Sequence, residues 1–174
     1  ADFVESMGRL AVHYPSLYGV MCGPADQRSE YWRTLQRLVR DHGLEERLVI
    51  PGDVRPPLKD DLVAASDVVV HPSHAESFGL AVLEAMAAGK PVVGAGTDGP
   101  GMLIEDGVSG VLVEPGDVQA LTSALRRLLD DAGERASLGA AAQRAAQRYG
   151  VDEMVRRFEA LWDEVLGAGH RGSS

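Results

Sequence analysis

The sequence predicts an α/β protein built as a Rossmann-like, doubly wound parallel sheet. Three observations predict it. Short apolar runs rich in β-branched residues recur along the chain. Segments of helical periodicity separate those runs. The runs are apolar throughout rather than alternating, as strands of a parallel sheet covered on both faces must be.

The elements follow in order. Phe3, Val4, Met7, Leu10 and Ala11 lie on one face of a first helix, which Pro15 and Ser16 end. Tyr18 to Cys22 reads as a buried strand before Gly23-Pro24. Tyr31, Leu35, Leu38 and Val39 mark a second helix with Gly43 as its C-terminal cap. Leu48-Val49-Ile50 is a strand, Leu58 to Ser66 a short helix, and Val68 to His71 a third strand. Phe78 to Ala88 is read as a helix with Leu80, Leu83 and Ala87 inward. Pro91 to Gly94 is a fourth strand, with proline at its first residue. A glycine-rich loop, Gly94 to Gly101, follows, and Gly110 to Val113 is a fifth strand. Asp117 caps a helix carrying Val118, Leu121, Leu125, Leu128 and Leu129. An alanine-rich helix covers 132–149. Asp152 caps a last helix with Val155, Phe158, Leu161, Trp162 and Val165 on one face. Residues 1–166 read as one domain, and 167–174 as a small, polar, disordered tail.

Composition limits the functions. The chain has 174 residues, 45% of them hydrophobic, 25% charged and 5% aromatic, with a formal net charge of −9. That is the composition of a globular domain with a sizeable core. Net negative charge argues against nucleic acid as a partner. The single Cys22 excludes an intramolecular disulfide and a cysteine-rich zinc site. No membrane-spanning run or signal peptide is read, so the expected compartment is cytoplasmic. The chain opens at Ala1 rather than Met, and the expectation is a fragment of a longer protein.

In a doubly wound sheet, ligands sit beyond the carboxyl ends of the strands. One such loop carries the densest chemistry. Glu76 lies in the loop after the third strand, just ahead of a helix start. Glu84 lies eight residues on, about two helical turns. The helix start offers N–H groups from Ser77, Phe78, Gly79 and Leu80, and Gly79 lets a ligand approach the backbone. A helix N-terminus with its positive dipole end suits a phosphate, and a carboxylate two turns in suits a ribose diol. Together these describe a nucleotide-diphosphate sugar. On spacing alone, two glutamates around one helix are more often solvated or capping side chains.

The longer string decides between those readings. Pro72-Ser73, Glu76-Ser77-Phe78-Gly79-Leu80, Glu84-Ala85-Met86-Ala87 and Gly89-Lys90-Pro91-Val92-Val93 stand in order. Downstream come Glu105 to Val113 and Pro115-Gly116-Asp117; upstream come Leu44 and Arg47 to Gly52. This string resembles the retaining glycosyltransferases of the GT-B fold, the family-4 group known as glycosyl transferases group 1, in their C-terminal, donor-binding domain. The resemblance spans roughly residues 2–166. It implies that Glu76 approaches the donor sugar and that Glu84 holds the ribose. It implies that the backbone amides of Phe78, Gly79 and Leu80 contact the sugar and distal phosphate, and that Gly52, Asp53, Val54 and Arg55 lie near the base. The implied reaction transfers a hexosyl unit from a nucleotide sugar to a hydroxyl with retention. The resemblance implies no metal or other cofactor, since many members of that family need none, and no His/Asp/Glu set has metal-ligand spacing.

The sequence also departs from that family. The family's first C-domain strand, and the Arg and Lys that accompany it, find no match; Met7-Gly8-Arg9-Leu10 is rejected as a substitute because its apolar spacing is helical. That strand is central in the 3-2-1-4-5-6 order, so a gap is expected between the strands at 18–22 and 68–71. The N-terminal acceptor domain is missing too, and the last helix typically crosses to it, which offers exposed or repacked positions for Phe158 and Trp162; a core-facing stripe is the commoner reading and the expectation here. Membrane association of the full-length protein stays open. Met102 stands where the family has Glu in its glycine loop, while Gly99 and Pro100 still suit a tight turn facing the ligand.

Other residues have plainer readings. His71 and His74 are read as structural, Cys22 as a buried inert thiol, and Lys90 as a solvated partner of a helix end. The isolated chain is expected to bind nucleotide with little transfer. The alternative is a non-catalytic nucleotide-binding or dimerising α/β module. Flavodoxin-like and receiver-like readings lack their acidic cluster or flavin loop.

Overall fold

The computed structural model describes residues 1–24 and 26–169. The described elements run α1 (Asp2–Ala11), β1 (Gly19–Cys22), α2 (Glu30–Asp41), β2 (Leu48–Gly52), α3 (Leu58–Ala65), β3 (Val69–His71), α4 (Leu80–Ala87), β4 (Val92–Ala95), α5 (Asp98–Leu103), β5 (Val111–Val113), α6 (Val118–Asp130), α7 (Ala132–Ala146), a 3₁₀ turn (Gln147–Tyr149) and α8 (Val151–Gly169). The expected alternation of strand and helix is observed. Helix α8 runs to Gly169, into the segment expected to be a tail; residues 170–174 lie outside the described residues.

All strand pairs are parallel, but they form two sheets: β1 with β2, and β3-β4-β5. In the second sheet Val69, Val70 and His71 stand opposite Val92, Val93 and Gly94. Strands β1 and β3 each keep one edge without a strand partner among the described residues. The break falls between β1 and β3, where the gap was expected.

Helix α1 joins the two sheets in place of a continuous ladder. Val4 and Met7 pack with Leu35, Val39, Leu44 and Leu48 over β1 and β2. Leu10, one turn on, packs with Val93, Val111, Leu121, Leu125 and Leu128 under the second sheet. Beside this seam Arg9 bonds the Gln119 side chain at 3.1 Å, and the Tyr14 hydroxyl donates to Asp130 at 2.6 Å.

Several expectations are corrected. In β1 and β2, Val20, Cys22 and Val49 are exposed, so this pair is covered on one face rather than two. Side chains alternate across a strand, and α1 and α2 cover the face that holds Met21, Leu48 and Ile50. Cys22 therefore is not a buried thiol. In α4 the buried residues are Val82, Ala85 and Met86, whereas Leu80 is 66% exposed. That helix is apolar on nearly every side, so periodicity could not choose its inner face; packing on α7 and β4 chose it. Gly139 of α7 approaches the Gly89 carbonyl so closely that a Cβ would overlap it. The segment read as loop from Gly94 to Gly101 contains the start of α5, with Thr97 at its N-cap. The alanine-rich helix ends at Ala146 in favour of the 3₁₀ turn, and α8 begins at Val151, which places Asp152 inside it rather than ahead of it. On α8, Val155, Phe158, Leu161 and Trp162 are exposed at 44%, 64%, 56% and 59%, not core-facing. Among the described residues no helix is long and apolar enough to cross a membrane.

Candidate functional site

The site is assembled at the carboxyl ends of β3 and β4. Strand β3 ends at His71 and leads into the Glu76 turn. Gly79 then adopts φ 87° and ψ 52°, a left-handed conformation that glycine reaches without a Cβ clash. This kink delays α4 to Leu80, two residues later than the periodicity suggests, and leaves Ser77 and Phe78 in an exposed turn ahead of it.

Glu76 is tied into the turn by backbone hydrogen bonds. Its Oε1 accepts the N–H groups of Phe78 at 3.2 Å and Gly79 at 3.0 Å. Two of the four N–H groups expected to be free for phosphate are therefore held by the protein itself. The reason is local: the carboxylate nearest a helix start is the first anion to satisfy its donors. These backbone bonds, to Phe78 first and then to Gly79, hold the Glu76 carboxyl below the usual glutamate value, with a smaller push from His71. His71 Nε2 lies 3.5 Å from Glu76 Oε2, at the outer limit of a hydrogen bond. That nitrogen is buried without a hydrogen-bond partner among the described residues, and so is Thr97 Oγ1. His71 ends β3, and Thr97 lies two residues past the end of the neighbouring β4, at the N-cap of α5. Unpaired buried polar groups are uncommon, and here they mark the same rim of the sheet.

Gly99, the second residue of α5, is buried against the Glu76 turn. Its N–H donates to the Glu76 carbonyl at 2.8 Å. The glycine loop thus buttresses the turn from behind. Met102 is 65% exposed, and its carbonyl accepts the Tyr149 hydroxyl at 3.1 Å. The Tyr149 ring meets the Phe78 ring edge to face at 6.1 Å. Tyr149 was not anticipated: it follows an alanine run with no sequence signal pointing to residue 78.

Glu84 extends from the second turn of α4 and is exposed. Lys59 of α3 donates to both its oxygens, at 2.7 and 2.8 Å. The hydrogen bond to Glu84 pushes the Lys59 amine above its usual value. Lys59 too was missed, because a single lysine ahead of Asp60-Asp61 carries no pattern. The residues expected near a base, Gly52 to Arg55, lie just upstream of α3. Asp53 and Arg55 pair with each other at 3.3 Å and face solvent, while the Gly52 carbonyl accepts the Gly23 N–H at 2.9 Å. Lys59 N–H donates to the Arg55 carbonyl at 3.1 Å, tying this loop to α3. Lys90 reaches the Ala64 carbonyl at 2.5 Å, so it pairs with the end of α3 rather than standing free in solvent.

His74 Nε2 meets Asp2 Oδ2 at 2.8 Å, linking the loop after β3 to α1. Among the described residues no group of three His, Cys, Asp or Glu side chains is placed to hold a metal ion. Two concavities, of about 550 and 480 Å³, lie beside Tyr149 and the 3₁₀ turn. Neither is lined by Glu76 or Glu84.

Parallel strands alternating with helices, with the glutamate-bearing turn at the strand ends, define a domain of the doubly wound α/β class. The chain belongs to the family Glycosyl transferases group 1, whose description matches residues 1–145. It is 41% identical over 134 residues to a D-inositol 3-phosphate glycosyltransferase of Xylanimonas cellulosilytica, covering 77% of this chain and 32% of that protein. It is 40% identical over 156 residues to the protein of the same name from Salinispora tropica, covering 87% and 32%. The chain therefore spans about a third of these relatives. Among solved structures, Anabaena Alr3699/HepE in complex with UDP superposes with a TM-score of 0.84 at 28% identity, covering 94% of this chain and 44% of that one. The C-terminal domain of the group 1 glycosyl transferase LpcC from Francisella tularensis superposes with a TM-score of 0.78 at 27% identity, covering 86% and 78%. The fold is that of a GT-B C-terminal domain.

Proposed function

We propose that this chain is the donor-binding half of a retaining glycosyltransferase, which moves a hexosyl unit from a nucleotide-diphosphate sugar to an acceptor hydroxyl. The observation that carries this reading is the pairing of the Glu76 turn with Glu84 on one helix at the strand ends, in a fold whose solved neighbours include complexes with UDP and UDP-glucose. UDP is accordingly the first nucleotide to test.

In this reading Glu84 accepts the two ribose hydroxyls. The distal phosphate lies at the start of α4, where Leu80 opens the helix and the dipole favours anionic oxygen. Glu76, already fixed by two backbone N–H groups, presents its carboxylate beside the sugar. A diphosphate is a good leaving group, so stabilising its developing charge is the main demand and no carboxylic acid is needed. The rest of that charge falls to basic residues outside this chain, and the acceptor is held by a second domain. The exposed α8 face, Phe158 and Trp162 included, is where that domain would seat. The chain by itself then binds nucleotide and transfers little.

Calorimetric titration with UDP, GDP and ADP, beside Glu84→Ala, tests the reading. Binding of one nucleotide that collapses in the variant supports it. A folded chain that binds none of the three overturns it. The unpaired edges of β1 and β3 favour a second reading, a dimerising module without transfer; a concentration-dependent dimer that binds no nucleotide would select it.

A further inference from the structure

Lys59 is placed to serve two parts of the site at once. Its Nζ forks onto both oxygens of Glu84, at 2.7 and 2.8 Å. Its backbone N–H holds the carbonyl of Arg55 at 3.1 Å, within the loop before α3. The first turn of α3 is thus the joint between that loop and the Glu84 carboxylate, which the chain separates by 25 residues at this ion pair.

A carboxylate has about four acceptor positions. The forked ammonium takes two of them. Two remain, the number a vicinal diol requires. An unpaired Glu84 would also stand as an exposed negative charge close to an anionic ligand, on a chain whose formal net charge is −9. Lys59 removes that repulsion and confines the carboxylate to one orientation. Asp60, next to it in the chain, also favours the charged form of this ammonium, after the larger effect of the Glu84 hydrogen bond.

We infer that Lys59 is a positioning residue of the nucleotide site, which orients Glu84 and offsets its charge so that the carboxylate accepts a ribose diol. The inference rests on the donor-site reading above and goes one residue beyond it. Lys59 does not touch the reacting atoms; it acts through Glu84.

The test is a set of calorimetric titrations on the full chain. The parent is first titrated with UDP, GDP and ADP, and the nucleotide that binds is used with its 2′,3′-dideoxy analogue. Lys59→Met is expected to weaken the natural nucleotide by about fivefold, the scale of a well-formed exposed ion pair. Lys59→Arg is expected to restore most of it. The dideoxy analogue, which has no diol, should bind parent and Lys59→Met alike. In a Glu84→Gln background, Lys59→Met should cost nothing further. Unchanged or tighter nucleotide binding by Lys59→Met overturns the inference, as does an equal loss for the dideoxy analogue. Melting curves report whether Lys59→Met folds, and Lys59→Gln, which also removes the charge and carries the same expectations, replaces it if it does not. A parent chain that binds no nucleotide overturns the donor-site reading itself, and is thereby distinct from a parent that binds while Lys59→Met is silent.

Discussion

Gly99 and Phe78 meet backbone to backbone: a Cβ built on Gly99 would stand 2.6 Å from the Phe78 carbonyl carbon and 2.8 Å from its nitrogen and oxygen. No side chain can rotate away to relieve such a contact, because the obstacle is main chain. Gly99→Ala must therefore push α5 and the Glu76 turn apart. Overpacking of this kind costs about 1–3 kcal/mol. Urea denaturation should read that loss, and nucleotide affinity should fall with it, since the displaced turn is the one that holds Glu76. Stability equal to the parent would mean the turn is free to move, and the buttress has no role.

The corrected face of α4 gives a paired prediction. Met86 is 0% exposed and Leu80 is 66% exposed. Met86→Ala should lose about 2–5 kcal/mol, the usual cost of emptying a buried site of that size. Leu80→Ala should stay within about 0.5 kcal/mol. The reverse order in denaturant titrations would restore the face that periodicity suggested.

Glu76 gives a pH dependence with a defined sign. Its carboxyl is held below the ordinary value by the N–H groups of Phe78 and Gly79. A depressed folded value means that the carboxylate stabilises the fold above the unfolded value, about 4.3, and that this contribution fades as pH falls through the lower folded value. Glu76→Gln should therefore melt below the parent at neutral pH. The difference should narrow in acid, at pH below about 4. A gap that is constant from neutral to acid pH would show that the charge is not what stabilises the turn.

Cys22 offers a simple probe of the uncovered sheet face. It is exposed, yet partial burial pushes its thiol above the usual value. The native chain should react with a thiol reagent without denaturant. The rate should keep rising with pH past about 8.5, where an ordinary cysteine begins to level off. Protection in the native state would mean that another surface covers Val20, Cys22 and Val49 in solution.

Much of this molecule could be read from local pattern. Parallel strands and helices alternate as the apolar runs and periodic segments indicated, and Asp117 caps α6 by accepting the Ala120 N–H at 2.8 Å. The Glu76–Glu84 string was legible because its spacing lies within one turn and one helix. The break beside β1 followed from the resemblance, which implies a central strand that this chain does not match. In each case the information lies within about ten residues, or in the order of elements.

What tertiary structure decided lies elsewhere. The inner face of α4 was undetermined because Leu80, Leu83 and Met86 are equally apolar, so its neighbours made the choice. The exposure of Cys22 and of Phe158 depended on which partners lie over them, which composition does not encode. Lys59 reached Glu84, Tyr149 reached Met102, and Gly99 reached Phe78 across 25, 47 and 21 positions of sequence. A contact between distant residues leaves no period or spacing for the sequence to display. The sequence by itself determined the alternating parallel fold and the glutamate pair; packing decided which atoms hold that pair in place.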